Sequence, residues 1–451
     1  MRRNSILEPV RYTPVARKTD VIIVGGGPSG ACAAIASARN GADTLLIERY
    51  GFLGGMMTAG LVNCLNGFRN QGKPAPQAIS GIAQEVAERM KEAGGAYVPE
   101  GGVPYCVVFE PETAKLVLSE MAEESGVNVL LHTVATNPIK ETGSASGVVV
   151  HNKSGRTAFT GDVVVDCTGD GDIAAACGAA YEVGREEDGA TLPAQMLIRM
   201  RGVDAVRLGS WIQGEKEGVS ALYDIEPLDT IREASEEGKP FGVSGLSIGG
   251  DQDRSVSCVV WRDWSLLWAT EPQSIDCTDG QEISEAEMST RTGIRELVGR
   301  MKGIPGFEES VLEQSATQIG VRETRRIVGE YVIDESDVLE GARFDDSIAV
   351  GANPMACLGR RILLGHGGFE IPFRALLPRE LEGLILAGRC ISTTHEAHGS
   401  IRAMATCMAT GEAAGTAAAL CVEDGLIPRH LGMPKLRERL EGQGALIDGS
   451  D

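Results

Sequence analysis

The chain has 451 residues, 43% of them hydrophobic, and 63 acidic against 42 basic side chains give it a formal charge of −21. Such a surface repels nucleic acid and anionic membranes, and no apolar run approaches the roughly 18 residues that span a bilayer. Eleven cysteines occur without one C-x-x-C, which argues against a structural zinc site, a cysteine-ligated iron–sulfur cluster and a dithiol pair. The first stretch, MRRNSILEPVRYTPVARK, lacks the apolar core of a signal peptide. A soluble cytoplasmic protein is expected, with no nucleic-acid or membrane partner.

The first element in chain order is the strand Val21–Val24, β-branched and apolar. Gly25, Gly27 and Gly30 follow in G-x-G-x-x-G spacing, with Pro28 and Ser29 opening a helix of small residues. A second strand, Thr44–Ile47, ends at Glu48. Each part suits a dinucleotide. Gly25 permits the tight turn, Gly27 lets backbone approach a pyrophosphate, and Gly30 lets the helix pack on the strand. The helix start offers N–H groups to the phosphates. Glu48 can accept both ribose hydroxyls, which disfavours a 2′-phosphate there.

The next stretch, ERYGFLGGMMTAGLVN, adds Arg49 and a second glycine pair, Gly54–Gly55. An ordinary NAD domain has no need of that pair; a longer cofactor lying extended does. Here the chain resembles the fumarate reductase and succinate dehydrogenase flavoprotein superfamily, and within it the bacterial FAD-dependent oxidoreductase family, which reads ER-GFLGG-x-x-T-x-G at this point. The resemblance runs from about Arg17 to Gly444. It implies that VNVLLHTVATNPI (127–139) brackets the adenine near Val134, and that GDVVVDCTGDGD (161–172) returns to the cofactor through Thr168, Gly169 and Asp172. Gly169, Gly171 and Ala174 also fit G-x-G-x-x-A, a second finger for NAD, but no strand ending in an acid follows.

From about 184 to 344 the pattern changes to alternating strands and one amphipathic helix, EISEAEMSTRTGIRELVGRMKGI, with a cap expected at or near Ser284. VRETRR (321–326) clusters three arginines, of which Arg322 is the candidate for gripping a carboxylate. LEGLILAGRCIS (381–392) reads as a strand ending at Gly388. Many relatives carry an acid next, bonding a ribitol hydroxyl; Arg389 stands there instead. The helix AMATCMATGEAAGTAAALCV would aim its start, at Ala405, towards the flavin, where its dipole would stabilise reduced flavin.

Between these two elements lies THEAHGSIRAM (394–404), read as a loop. Fumarate reductase relatives read H-G-x-N-R here, and their arginine holds a substrate carboxylate. This chain keeps His398, Gly399 and Arg402 but has Ile401 for asparagine. His395 and His398 are three apart, not four as in the zinc motif H-E-x-x-H, and no other Cys/His cluster joins them, so no metal is expected. One or other histidine is the expected proton carrier, with Arg402 and Arg322 holding an anionic or carbonyl oxygen. No histidine precedes the second glycine pair where relatives attach FAD covalently, so a dissociable FAD is expected.

The expected architecture is α/β: a Rossmann-like FAD-binding domain, a parallel sheet with helices and a β-meander, in two parts (1–183 and 345–451), plus an inserted α+β cap or substrate domain (184–344). The expected activity is hydride transfer between a small organic substrate, carboxylate- or carbonyl-bearing, and flavin N5. Two other readings stay open: a reductase fed by NADH or NADPH, and a non-redox FAD-binding protein. The substrate, the electron donor or acceptor and any homo-oligomer are left unspecified.

Overall fold

Val21, Ile22, Ile23 and Val24 are buried on both faces, as in a strand inside a parallel sheet. The structure, a computed structural model, describes residues 10–449 except 71–74, 100–105, 142, 215–218, 223–226, 249–250, 271–274, 358–359 and 366. In it β1 covers Val15–Val24, beginning earlier than the apolar run because its polar, exposed first half still pairs in the sheet. α1 (Pro28–Arg39) and β2 (Thr44–Ile47) follow, with β3 (Asn128–Leu130) parallel beside β2. β4 (Val134–Glu141), β5 (Ser144–Asn152) and β6 (Gly155–Asp166) form an antiparallel meander whose last strand lies parallel to β1. The sheet order is β3-β2-β1-β6-β5-β4.

A second, antiparallel sheet follows: β7 (Met196–Arg201), β8 (Phe241–Ile248), β9 (Asp251–Trp261), β10 (Trp264–Thr270) and, after helix α2 (Gly280–Met301), β11 (Val311–Ser315). With the short strand Ser220–Ala221 at its edge, the order is 220–221, β8, β9, β10, β7, β11. Its apolar residues form their own buried cluster, separate from that of the first sheet. The α2 cap is Asp279, not Ser284: its Oδ1 accepts from the N–H groups of Gln281 and Glu282 at 2.8 and 3.0 Å. Ser284 lies inside the helix, its hydroxyl bonded to the Gly280 carbonyl. A carboxylate at the helix start also meets the positive end of its dipole.

The chain then returns to the first sheet. β12 (Leu384–Leu386) pairs in parallel with the end of β6. The expected loop after it is a helix, α3 (His395–Ile401), capped by Thr394, whose side chain accepts from the Ala397 N–H. Gly399 is needed there, since a Cβ would lie 2.5 Å from the Ala356 carbonyl oxygen. α4 (Met404–Asp424) packs on α1 backbone to backbone. A Cβ at Gly411 or Gly415 would come within 2.1 or 2.0 Å of the Ser29 and Ala33 carbonyl oxygens.

α4 also holds a carboxyl that makes one pH-dependent contact. Glu412, buried, accepts from the Ile82 N–H at 2.9 Å, filling an unsatisfied donor at the start of helix Ile82–Glu92. Burial, partly offset by that bond and by Arg39, pushes Glu412 up to about 7. The folded state therefore holds this proton more tightly than the unfolded chain. The contribution is greatest below about pH 4.5 and is lost as pH rises through about 7. Glu412→Gln keeps an acceptor without the charge and should be more stable than the parent by about 2–3 kcal/mol at pH 8 and little different at pH 4.5. Melting temperatures of both proteins across that range check this.

Candidate active site

The carboxyl ends of β1, β2 and β6 face a cavity of about 510 Å³. Gly25 turns sharply off β1 at φ +97°, and a Cβ on it would lie 2.5 Å from the Cys167 carbonyl oxygen just past β6. Gly27, Pro28 and Ser29 line the cavity at the start of α1, whose first N–H groups have no acceptor within the helix. Gly27 is open: nothing lies closer to a Cβ there than Gly55 Cα at 4.0 Å. Gly55 lines the same wall.

Glu48 lines the cavity at the end of β2 and is buried. Its Oε2 accepts from the Gly26 N–H at 2.6 Å and its Oε1 from the Tyr50 N–H at 2.8 Å. Burial raises its pKa above the usual carboxylate value against the pull of these bonds. Each oxygen keeps a second lone pair for a hydroxyl. Arg49 and Val134 are in the lining too. Gln318, from the segment after the second sheet, bonds both the Arg49 guanidinium and the Tyr50 hydroxyl.

The turn after β6 contributes Thr168, Gly169, Asp170 and Asp172. Asp166, inside the GDVVVDCTGDGD stretch but not among the residues singled out there, shapes this turn. Its buried carboxylate accepts from the Thr168 N–H and hydroxyl at 3.1 and 2.7 Å, and from the Ile173 and Ala174 N–H groups at 3.0 and 2.9 Å. The signal lies in plain view as the acid that ends VVVD, but only the fold shows which amides it reaches.

Four assigned glycine and alanine positions stand outside the lining and act through packing. A Cβ on Gly30 would lie 1.7 Å from the Gly25 carbonyl oxygen, and one on Gly388 would lie 2.5 Å from Ser29 Oγ. Gly54 turns at φ +105° and donates its N–H to the Gly26 carbonyl at 2.8 Å. Ala405 is fully buried in the first turn of α4, while Met404 and Cys407 beside it reach the cavity. Burial pushes the Cys407 thiol up to about 12, so it stays protonated at neutral pH.

Arg322 and Arg402 both line the cavity, although they come from segments far apart in sequence. The Arg322 guanidinium also bonds the Gln195 side chain, another lining residue that the motifs did not single out. The histidines lie elsewhere. His395 and His398 are buried and do not belong to the lining. His395 Nδ1 lies 3.0 Å from Glu323, and His398 Nε2 donates to the Arg322 carbonyl at 3.0 Å. Burial brings His398 down to about 3, so it is neutral at physiological pH. Glu323 is buried as well, which opposes its charge, but His395 and the Leu192 N–H outweigh this and hold it ionised. It also pairs with the buried Arg326, which donates to the carbonyls of Thr393 and Gly184. The cluster fastens α3 to the 322–326 segment. Among the described residues no group of three or more His, Cys, Asp or Glu side chains could hold a metal ion, and none of the helices is long and apolar enough to cross a membrane.

A family model described as FAD dependent oxidoreductase matches residues 20–440. The chain belongs to this family. The cradle fits the family's cofactor: an α-carbon left bare at Gly27, free amides at the start of α1, a buried acid at the end of β2, and one cavity joining them. The chain is also 31% identical over 167 residues to a digeranylgeranylglycerophospholipid reductase of Methanocella arvoryzae, a match covering 33% of this chain and 39% of that one. It is 30% identical over 186 residues to a thiamine thiazole synthase of Methanococcus aeolicus, covering 40% and 64%. Both matches thus span less than two thirds of the relative. A geranylgeranyl bacteriochlorophyll reductase-like structure from Thermoplasma acidophilum aligns over 95% of this chain and 84% of its own, at 14% identity and a TM-score of 0.47.

Proposed function

We propose that the protein oxidises or reduces a small substrate bearing a carboxylate or carbonyl oxygen, held by Arg322 and Arg402 beside FAD. The observation that carries this reading is that two arginines, from separate segments, line the same cavity as the Gly25–Ser29 turn and Glu48. Bound FAD would supply hydride acceptance or donation at flavin N5. Gly25, Gly27, Pro28 and Ser29 would hold its pyrophosphate, Glu48 and Arg49 its adenosine ribose end, Val134 its adenine, and Thr168, Gly169 and Asp172 its ribitol side. The segment 184–344 serves as the cap over the flavin, a division supported between about 194 and 321 by the separate apolar cluster of the second sheet, while Ile327, Ile333 and Val338 pack in the first cluster.

The protein's part in the chemistry is orientation and charge. Arg322 and Arg402, in a lining that also includes Val62, Leu197, Trp268 and Met404, would bind a substrate oxyanion and stabilise negative charge that grows on it during transfer. His398 serves as a positioning residue: one ring nitrogen fixes the Arg322 backbone, and its own carbonyl accepts the Arg402 N–H at the end of α3. One histidine thus sets the distance between the two arginines. The reading extends the resemblance to fumarate reductase relatives, where the arginine of H-G-x-N-R holds a carboxylate and Arg402 occupies that place.

Anaerobic mixing of the flavin-loaded protein with hydroxy acids, amines, sugars, NADH and NADPH, and of its dithionite-reduced form with enoates, tests the proposal. Bleaching by a hydroxy acid, or reoxidation by an enoate, is expected. A flavin that responds only to amines or sugars would contradict it, and one that responds only to NADH or NADPH would favour a nicotinamide-fed reductase.

A further inference from the structure

Asp170 has no role in the motifs that mark the cofactor cradle, yet it stands in the cavity wall between Gly169 and Asp172. Its carboxylate is fixed from two sides. Oδ1 accepts from the Thr324 hydroxyl at 2.8 Å and from Arg389 Nη2 at 2.7 Å, and Arg389 Nη1 donates to the same Thr324 oxygen at 3.0 Å. The triangle joins the ends of β6 and β12 to the 322–326 segment. Gly169 makes room for it: at φ +80°, its absent Cβ would lie 3.1 Å from Arg389 Nη2, so the guanidinium lies across a bare α-carbon. Among the described residues, both bonds to this carboxylate fall on Oδ1. Oδ2 takes part in neither bond, and Asp170 lines the cavity that takes FAD.

Burial works against the charge on Asp170, but Arg389 and Thr324 outweigh it and hold the group below the usual carboxylate range. An ionised carboxylate can only accept hydrogen bonds, and a largely buried carboxylate in a cavity wall calls for a donor to each oxygen. FAD carries such donors on its ribose and its ribitol. The ribose end is served by Glu48 at the end of β2, whereas Asp170 follows β6 and is tied to the residue after Gly388. In related flavoproteins that residue is the expected place of a ribitol-binding acid, and here it is Arg389.

We infer that Asp170 has taken over this role, with Arg389 and Thr324 holding one carboxylate oxygen while the other accepts a hydrogen bond from a ribitol hydroxyl of FAD. The inference rests on FAD binding alone and not on the proposed substrate. Apoprotein would be titrated with FAD and with three analogues lacking the 2′-, 3′- or 4′-hydroxyl of the ribityl chain, followed by quenching of flavin fluorescence. The parent should bind one analogue about tenfold more weakly than FAD. Asp170→Ala should bind FAD about tenfold more weakly than the parent and should not distinguish FAD from that same analogue. Arg389→Lys should retain part of the discrimination. Where the alanine variant fails to fold, Asp170→Asn takes its place, with the same convergence of FAD and analogue expected. The inference is overturned if the Asp170 variant binds FAD as tightly as the parent, or if it loses affinity for FAD and all three analogues equally, the mark of a purely structural acid.

Discussion

Gly30→Ala should purify without flavin and with a lowered melting temperature, whereas Gly27→Ala should keep its melting temperature and lose only affinity for FAD. The two glycines sit three residues apart in one motif but serve different contacts. A methyl group on Gly30 would meet the Gly25 carbonyl oxygen at 1.7 Å and the Gly25 carbonyl carbon at 2.9 Å. Both are backbone atoms in the turn between β1 and α1, so no side chain can move aside, and the turn must open. That turn is also the proposed phosphate cradle, and loss of cofactor is expected to follow from loss of geometry. A methyl group on Gly27 meets no protein atom closer than 4.0 Å. It would project where the cofactor must approach, so its cost appears only when FAD binds. The ratio of visible to ultraviolet absorbance, with melting curves of the apoproteins, separates the two outcomes.

The second large effect concerns Arg402. Arg402→Ala should leave flavin bound with an unaltered protein fold while lowering kcat/KM for the substrate about a hundred- to thousandfold, the usual loss when one donor to a developing oxyanion is removed. Arg402→Lys should recover part of the rate, because it restores the charge but not the two-pronged geometry. His398→Gln is a useful companion. Glutamine can donate to the Arg322 carbonyl but cannot reproduce the ring's fit, so a positioning role predicts a smaller loss than at Arg402. A histidine carrying the reaction's proton would instead give a loss as large as that of Arg402→Ala and a changed pH profile. Steady-state kinetics from about pH 6 to 9, the range in which an ordinary histidine titrates, measure both.

The cofactor half of the molecule is legible in the sequence because its determinants are local. The apolar run Val21–Val24, the glycine spacing and the acid closing Thr44–Ile47 are consecutive features, and each has a single physical use. The stretch THEAHGSIRAM is harder. Gly399 and Ser400 are poor helix formers, and its two turns form through the Thr394 cap and the close approach of Gly399 to Ala356. The setting of the histidines is hidden in the sequence because their partners lie more than seventy positions earlier in the chain, in Arg322 and Glu323. No local pattern reveals that a ring nitrogen will be filled by a distant backbone carbonyl. Ser284 passes for the α2 cap for a simpler reason. The apolar period fades in the polar first turn, which hides the true start at Asp279. Asp170 is overshadowed by Asp172, the acid that the motif names; its proposed role depends on Arg389, which arrives from the far end of the chain.

Arg322 and Arg402 are proposed to form together an oxyanion site beside the flavin. Its most direct test is a difference-spectrum titration of the oxidised, FAD-loaded protein with simple carboxylates such as fumarate and benzoate, run on the parent, Arg322→Ala and Arg402→Ala. A saturable shift of the flavin bands is expected in the parent, with at least one carboxylate, and affinity at least about tenfold weaker in each variant. Equal affinity in all three proteins, or no carboxylate that perturbs the parent's flavin, would contradict it.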